Sequence, residues 1–190
     1  LISGEPGIGK SRLLHDFMKS CWGSGLVLYG AGQRGEQTVS YHPIVEALRA
    51  QLASAPLSLP PYWLAEVSRL FPELANFYPG LPRPLSLKGE EARIRLFEAL
   101  GQCITALQAA PGPVLLCLDD LHWFDPTSLS WLMYLSRQFL TKNCRVMVAG
   151  TYRSEDIGKV KELRDGLIRL GLLEEIKLEG LGQADILEIL

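Results

Sequence analysis

Two hydrophobic rhythms alternate along the chain. Short apolar runs of strand length occur at Leu1-Ile2-Ser3, Leu26 to Tyr29, Val114 to Leu118, Arg145 to Gly150 and Glu174 to Leu178. Between them, apolar residues recur at the three- and four-residue spacing of a helix with one buried face. Leu13, Leu14, Phe17 and Met18 mark such a face in Lys10 to Ser20, and Ile44, Val45, Leu48 and Leu52 mark another, entered at Pro43 and running to about Ala53. Ile94, Phe97, Leu100, Cys103, Ile104 and Leu107 predict a helix over Glu90 to Leu107, stopped by Pro111-Gly112-Pro113. Two more helices are expected, from Pro126 to Phe139 with Asp125 as its N-cap, and from Gly158 to Leu170. Val114 to Leu118 is apolar at every position, as a parallel strand covered on both faces requires. Strand and helix alternate as in βαβ proteins, so the fold class is α/β.

One stretch breaks the rhythm. Pro56, Pro60, Pro61, Pro72, Pro79, Pro82 and Pro84 crowd a segment that also holds Tyr62, Trp63, Phe71, Phe77 and Tyr78. Those aromatics mark a packed insertion or surface module, over about residues 41–90, with one short helix near Leu64 to Phe71. The 190 residues suit one compact core, assigned to residues 1–181. The chain opens inside an apolar run and Ala184 to Leu190 stops inside a helical pattern, so it is read as a piece of a longer protein.

Composition excludes more than it assigns. With 47% hydrophobic and 21% charged residues, the chain is neither disordered nor fibrous. Its formal charge of −2 and scattered basic residues give no footprint for nucleic acid. Cys21, Cys103, Cys117 and Cys144 form no CxxC pair or Cys/His metal pattern, which fits reduced thiols and a cytoplasmic location. No apolar stretch approaches the roughly 20 residues of a membrane span.

The chemistry sits at two strand ends. Gly4-Glu5-Pro6-Gly7-Ile8-Gly9-Lys10-Ser11 has the spacing GxxxxGK[ST], between an apolar strand and an amphipathic helix. Glycines bring backbone N–H groups against phosphate oxygens while the helix presents its positive end. Gly4, Glu5, Pro6, Gly7, Ile8, Gly9, Lys10, Ser11 and the adjoining Arg12 are thus the candidate phosphate-binding residues. Lys10 is assigned to the β- and γ-phosphates and the Ser11 hydroxyl to Mg²⁺. The run Val114 to Leu118 ends in Asp119-Asp120, at the edge where open α/β sheets gather ligands. Asp119 is the second Mg²⁺ candidate, acting through water, and Asp120 the group that orients or activates an attacking water. His122 and Trp123 are read as residues that pack or hydrogen-bond the loop that places Asp120, and Asp125 as a helix cap.

Three segments, GEPGIGKSRLL, LDDLHWFDPTSLSWL and VAGTYRSED, resemble the AAA-type ATPase domain of the STAND P-loop NTPases. That module, also described as origin-recognition-like, occurs in large LuxR-type transcriptional regulators and beside cyclase or kinase domains in bacterial signalling proteins. The resemblance implies a three-layer αβα sandwich with a mainly parallel five-stranded sheet, a helical insertion before the acidic strand, and a helical lid of which 182–190 is the truncated start. It implies that the Arg145 to Gly150 strand lies between the phosphate-loop strand and the acidic strand. Arg153 then resembles the family's sensor arginine and joins Asp120 as a catalytic candidate; Arg34 and Arg95 are the candidates for an arginine finger. The cofactors implied are ATP and Mg²⁺. The activity implied is hydrolysis of ATP to ADP and phosphate, or a slow nucleotide switch acting by ATP- or ADP-dependent self-association together with further domains of the parent chain.

Overall fold

A computed structural model describes residues 1–54, 57–108, 112–141 and 144–180. The expected lid at 182–190 lies outside the described residues. Five strands, β1 (Ile2–Gly4), β2 (Leu26–Ala31), β3 (Val114–Asp119), β4 (Val146–Arg153) and β5 (Ile176–Lys177), form one sheet in the order β2-β3-β4-β1-β5. All the pairings are parallel. The described residues also form seven α-helices: α1 (Lys10–Cys21), α2 (His42–Ser54), α3 (Pro61–Val67), α4 (Leu74–Phe77), α5 (Gly89–Leu107), α6 (Pro126–Thr141) and α7 (Ile157–Arg169).

The three layers follow from the two-residue period of a strand. On β3, Val114, Leu116 and Leu118 enter a core shared with Ile44 and Leu48 of α2, Phe97 and Leu100 of α5, Trp131 and Leu135 of α6, and Val160 of α7. Leu115 and Cys117 point the other way, to Leu14 of α1, with Phe17 and Met18 packed alongside. Every residue of β3 is buried, which its unbroken apolar run required. Each fully buried leucine contributes roughly 1.5–3 kcal/mol relative to exposure. Cys103 and Cys117 are free thiols in these cores, each pushed up to about 12 by burial.

Three elements differ from the sequence expectation. β4 continues past Gly150 to Arg153, because Thr151 and Tyr152 are buried and pair with Ile2 and Ser3 of β1. The helix expected near Leu64 to Phe71 starts earlier, with Pro61 in its first turn, and ends at Val67; beyond Pro72 the short α4 follows. The last strand is only Ile176–Lys177, flanked by bonds from the Ile176 amide to the Leu1 carbonyl (2.8 Å) and from the Leu178 amide to the Ser3 carbonyl (2.7 Å).

Candidate nucleotide site

The sheet order carries the two motifs to one edge. β4 lies between β1 and β3, with Gly4 opposite Arg153 and Leu118 opposite Gly150. The phosphate loop, Arg153 and the Asp119-Asp120 pair therefore leave the sheet side by side.

The loop between β1 and α1 turns through Gly7 at φ 79° and Gly9 at φ 104°, left-handed conformations open to glycine at little cost. Gly9 occupies the N-cap of α1, no side chain caps that end, and no acidic residue lies in its first turn. The first-turn amides thus face outward, and the positive end of the helix dipole is not offset. Lys10 is only 6% exposed, and its ammonium donates to the Gly4 carbonyl (3.1 Å) and the Glu5 carbonyl (2.8 Å). Burial lowers its pKa, with Asp120 opposing, Arg153 assisting and Asp119 opposing. A cavity of about 250 Å³ is lined by Pro6, Gly7, Gly9, Lys10, Ser11 and Arg12, and across it by Asp120 and Arg153. Gly4, Glu5 and Ile8 do not line it; Gly4 and Glu5 form the seat of Lys10.

Asp119 lies behind the cavity wall and is buried. The Thr151 hydroxyl donates to its Oδ1, as does the Asp120 amide (3.1 Å), which also lies 2.9 Å from Thr151 Oγ1. These contacts pin Asp120 at φ 54°, ψ 51°, a left-handed conformation that costs an L-residue about 1–2 kcal/mol. The bend points Asp120 into the cavity. Burial, then the neighbouring Asp119, raises its pKa, while Arg153 and Lys10 pull it back. Any Mg²⁺ here would take oxygen donors from the Ser11 hydroxyl and, through water, Asp119. The described residues hold no group of three or more His, Cys, Asp or Glu able to hold a metal by themselves, so the remaining positions would fall to water and phosphate. That donor set fits Mg²⁺, which keeps several waters and binds with one or two carboxylates.

Two further residues lie beside Asp119. Tyr29, in β2 beside β3, faces Asp119, and its hydroxyl is pushed up to about 12 by burial and then by the Asp119 charge. Thr151, fully buried in β4, links the Asp119 side chain to the Asp120 amide. Neither has a local signal, because each is brought to the carboxylates by strand pairing. Trp123 carries the Arg153 guanidinium at 5.9 Å and the Lys159 ammonium at 4.4 Å from its ring centre. Asp125 caps α6: its Oδ1 accepts the Thr127 and Ser128 amides, both at 3.0 Å.

Of the arginine-finger candidates, Arg95 lies 3.9 Å from the buried Glu66 carboxylate and 3.8 Å above the Trp63 ring. Arg34 is exposed after β2. No helix among the described residues is long and apolar enough to cross a membrane.

No curated protein matches the chain closely enough to count as a relative. A family model described as an AAA ATPase domain matches residues 1–148, the span that contains the phosphate loop, the acidic strand and α6. The glycine loop, the uncapped helix and the acidic strand end thus fall within one matched region, and the chain belongs to the AAA ATPase domain family.

Proposed function

We propose that this domain binds Mg·ATP between the phosphate loop and the ends of β3 and β4, and that it hydrolyses the γ-phosphate. The observation that carries the reading is the uncapped, acid-free N-terminus of α1, sharing one cavity with Lys10, Asp120 and Arg153. Loop amides and Lys10 hold the phosphate tail. Asp120 orients a water and accepts its proton as the new O–P bond forms and the bond from the γ-phosphorus to the bridging oxygen breaks; ADP leaves with inorganic phosphate. Lys10 and Arg153 offset the charge that develops in a partly water-excluded site. Mg²⁺, when bound, supplies further charge neutralisation on the phosphate oxygens, and Ser11 and Asp119 are the residues to hold it.

A slow nucleotide switch is the second reading. It is favoured by Asp120 itself, a short carboxylate in a left-handed backbone with Lys10 and Arg153 drawing on its charge. On either reading, the three motif segments support placing the domain as a regulatory element of a larger signalling or transcriptional regulator, responding to ATP and ADP through assembly.

Titrating Mg·ATP into the chain by calorimetry, with turnover followed in parallel, tests the site. Lys10→Ala should weaken binding by on the order of 10²-fold or more, since it removes a desolvated charge partner. Asp120→Asn should leave binding unchanged and lower turnover by on the order of 10²–10⁴-fold. Parental affinity in Lys10→Ala would defeat the phosphate-loop assignment, and a parental chain that binds without measurable turnover would leave the switch.

A further inference from the structure

We propose that His122 is a positioning residue for Asp120, donating a hydrogen bond from Nδ1 to the carboxylate that faces the phosphate-loop cavity; this rests on the nucleotide-site reading above. His122 follows Asp120 in a 3₁₀ turn, Leu121–Trp123, and is 1% exposed. Its ring lies between two carboxylates, with Nδ1 3.8 Å from Asp120 Oδ1 and Nε2 3.8 Å from Asp156 Oδ2. Neither nitrogen has a hydrogen-bond partner among the described residues. A ring present only to fill space would do better as phenylalanine, because each unsatisfied buried polar atom costs about 1–3 kcal/mol.

Burial keeps the imidazole neutral near pH 7, so it carries one N–H and can donate to only one of the two carboxylates. Asp156 already has the Lys159 ammonium at 2.8 Å, and that bond draws its carboxyl below the usual range. Among the described residues, none donates a hydrogen bond to the Asp120 carboxylate; the bonds of Asp120 are made by its backbone amide and carbonyl. Asp120 therefore has the greater need of a donor. The backbone already fixes the ring beside it, through bonds from the Trp123 amide to the Asp120 carbonyl (2.8 Å) and from the Phe124 amide to the Leu121 carbonyl (3.0 Å). A closure of about 1 Å brings the pair to hydrogen-bond distance. That bond would select one rotamer of Asp120, as a group that must meet a water in line with the γ-phosphate requires.

Nitrogen-15 NMR of the imidazole in the full chain tests the bond without reference to turnover. His122 should be the Nδ1–H tautomer in the parent and in Asp156→Asn, and should shift toward Nε2–H in Asp120→Asn. An Nε2–H parent, or a tautomer unmoved by Asp120→Asn, overturns the proposal. Turnover adds a second arm, because asparagine places a donor near the position of Nδ1 and glutamine near that of Nε2. His122→Asn should retain kcat, while His122→Gln and His122→Phe should lose on the order of 10²-fold in kcat with KM unchanged. Rescue by glutamine instead of asparagine, or losses that merely track melting temperature, overturns it equally. A parent without turnover defeats the hydrolysis reading, and the tautomer measurement then decides the His122 bond alone.

Discussion

His122 also has a consequence for stability. Burial pushes its imidazole down to about 4, with Asp156 opposing and Arg153, Lys159 and Lys10 assisting. The unfolded chain returns it to its ordinary value of about 6.5, so between those two values the unfolded state binds the extra proton. Stability is thus fully present above about pH 6.5, is lost as the pH falls through the window, and levels off below about 4. The full loss is about 3 kcal/mol. Asp120, whose pKa is raised in the fold, works in the opposite sense at the lower end of the window. Urea unfolding of the parent and of His122→Phe at a series of pH values separates the two groups, since the variant retains Asp120. A parent profile as flat as that of the variant would contradict the buried neutral histidine. Packing was legible for His122 from its place in an apolar strand-to-helix turn. Its second neighbour was not, because Asp156 comes from a turn that only the pairing of β3 with β4 brings near.

Element ends show how local chemistry becomes tertiary structure. Asp125 caps α6 with Oδ1, while its Oδ2 accepts the Ser128 hydroxyl and, at 3.1 Å, the amide of Tyr41. Tyr41 holds φ 65°, a left-handed turn just before α2. One buried carboxylate therefore starts α6 and anchors the entry to α2. Asp125→Ala removes a cap, about 1 kcal/mol, and leaves the buried Tyr41 amide unpaired, a further 1–3 kcal/mol. A loss of about 2–4 kcal/mol is expected in denaturant unfolding, and Asp125→Asn should recover part of it; equal stability of the alanine variant and the parent would contradict the dual role. The cap was readable from Asp125-Pro126, whereas the tie to Tyr41 was not, being a contact between residues distant in sequence. Strands were legible where they were apolar, as in Val114 to Leu118. The end of β4 was missed because the apolar run stops at Gly150, and it is pairing with β1 that buries Thr151 and Tyr152.

At the scale of the whole molecule, the proline-rich stretch is tied to α5 through one carboxylate. Glu66 of α3 is 2% exposed; its Oε2 accepts the Arg69 Nε–H at 2.8 Å and its Oε1 accepts the Leu85 amide at 2.8 Å. Arg95 of α5 lies 3.9 Å away and covers Trp63 of α3. The Arg69 guanidinium completes the tie by donating to the Leu85 carbonyl. Glu66 thus joins α3, the extended chain after Pro84, and the long helix that leads to the acidic strand. None of these residues lines the phosphate-loop cavity, so their energetics and the nucleotide site should separate. Glu66→Ala leaves Arg69, Arg95 and the part-buried Leu85 amide without their acceptor, a change that costs about 1–3 kcal/mol. In a domain of this size that lowers the melting temperature by roughly 2–12 °C. The first segment released should be 79–88, where limited proteolysis should cut Glu66→Ala well before the parent, with Mg·ATP affinity unchanged below the melting transition. Glu66→Gln keeps an acceptor but no charge and should fall between the two. A Glu66→Ala chain that melts with the parent and resists protease equally would show that apolar packing of Trp63, Val67 and Phe71 against α5 holds the stretch without the carboxylate.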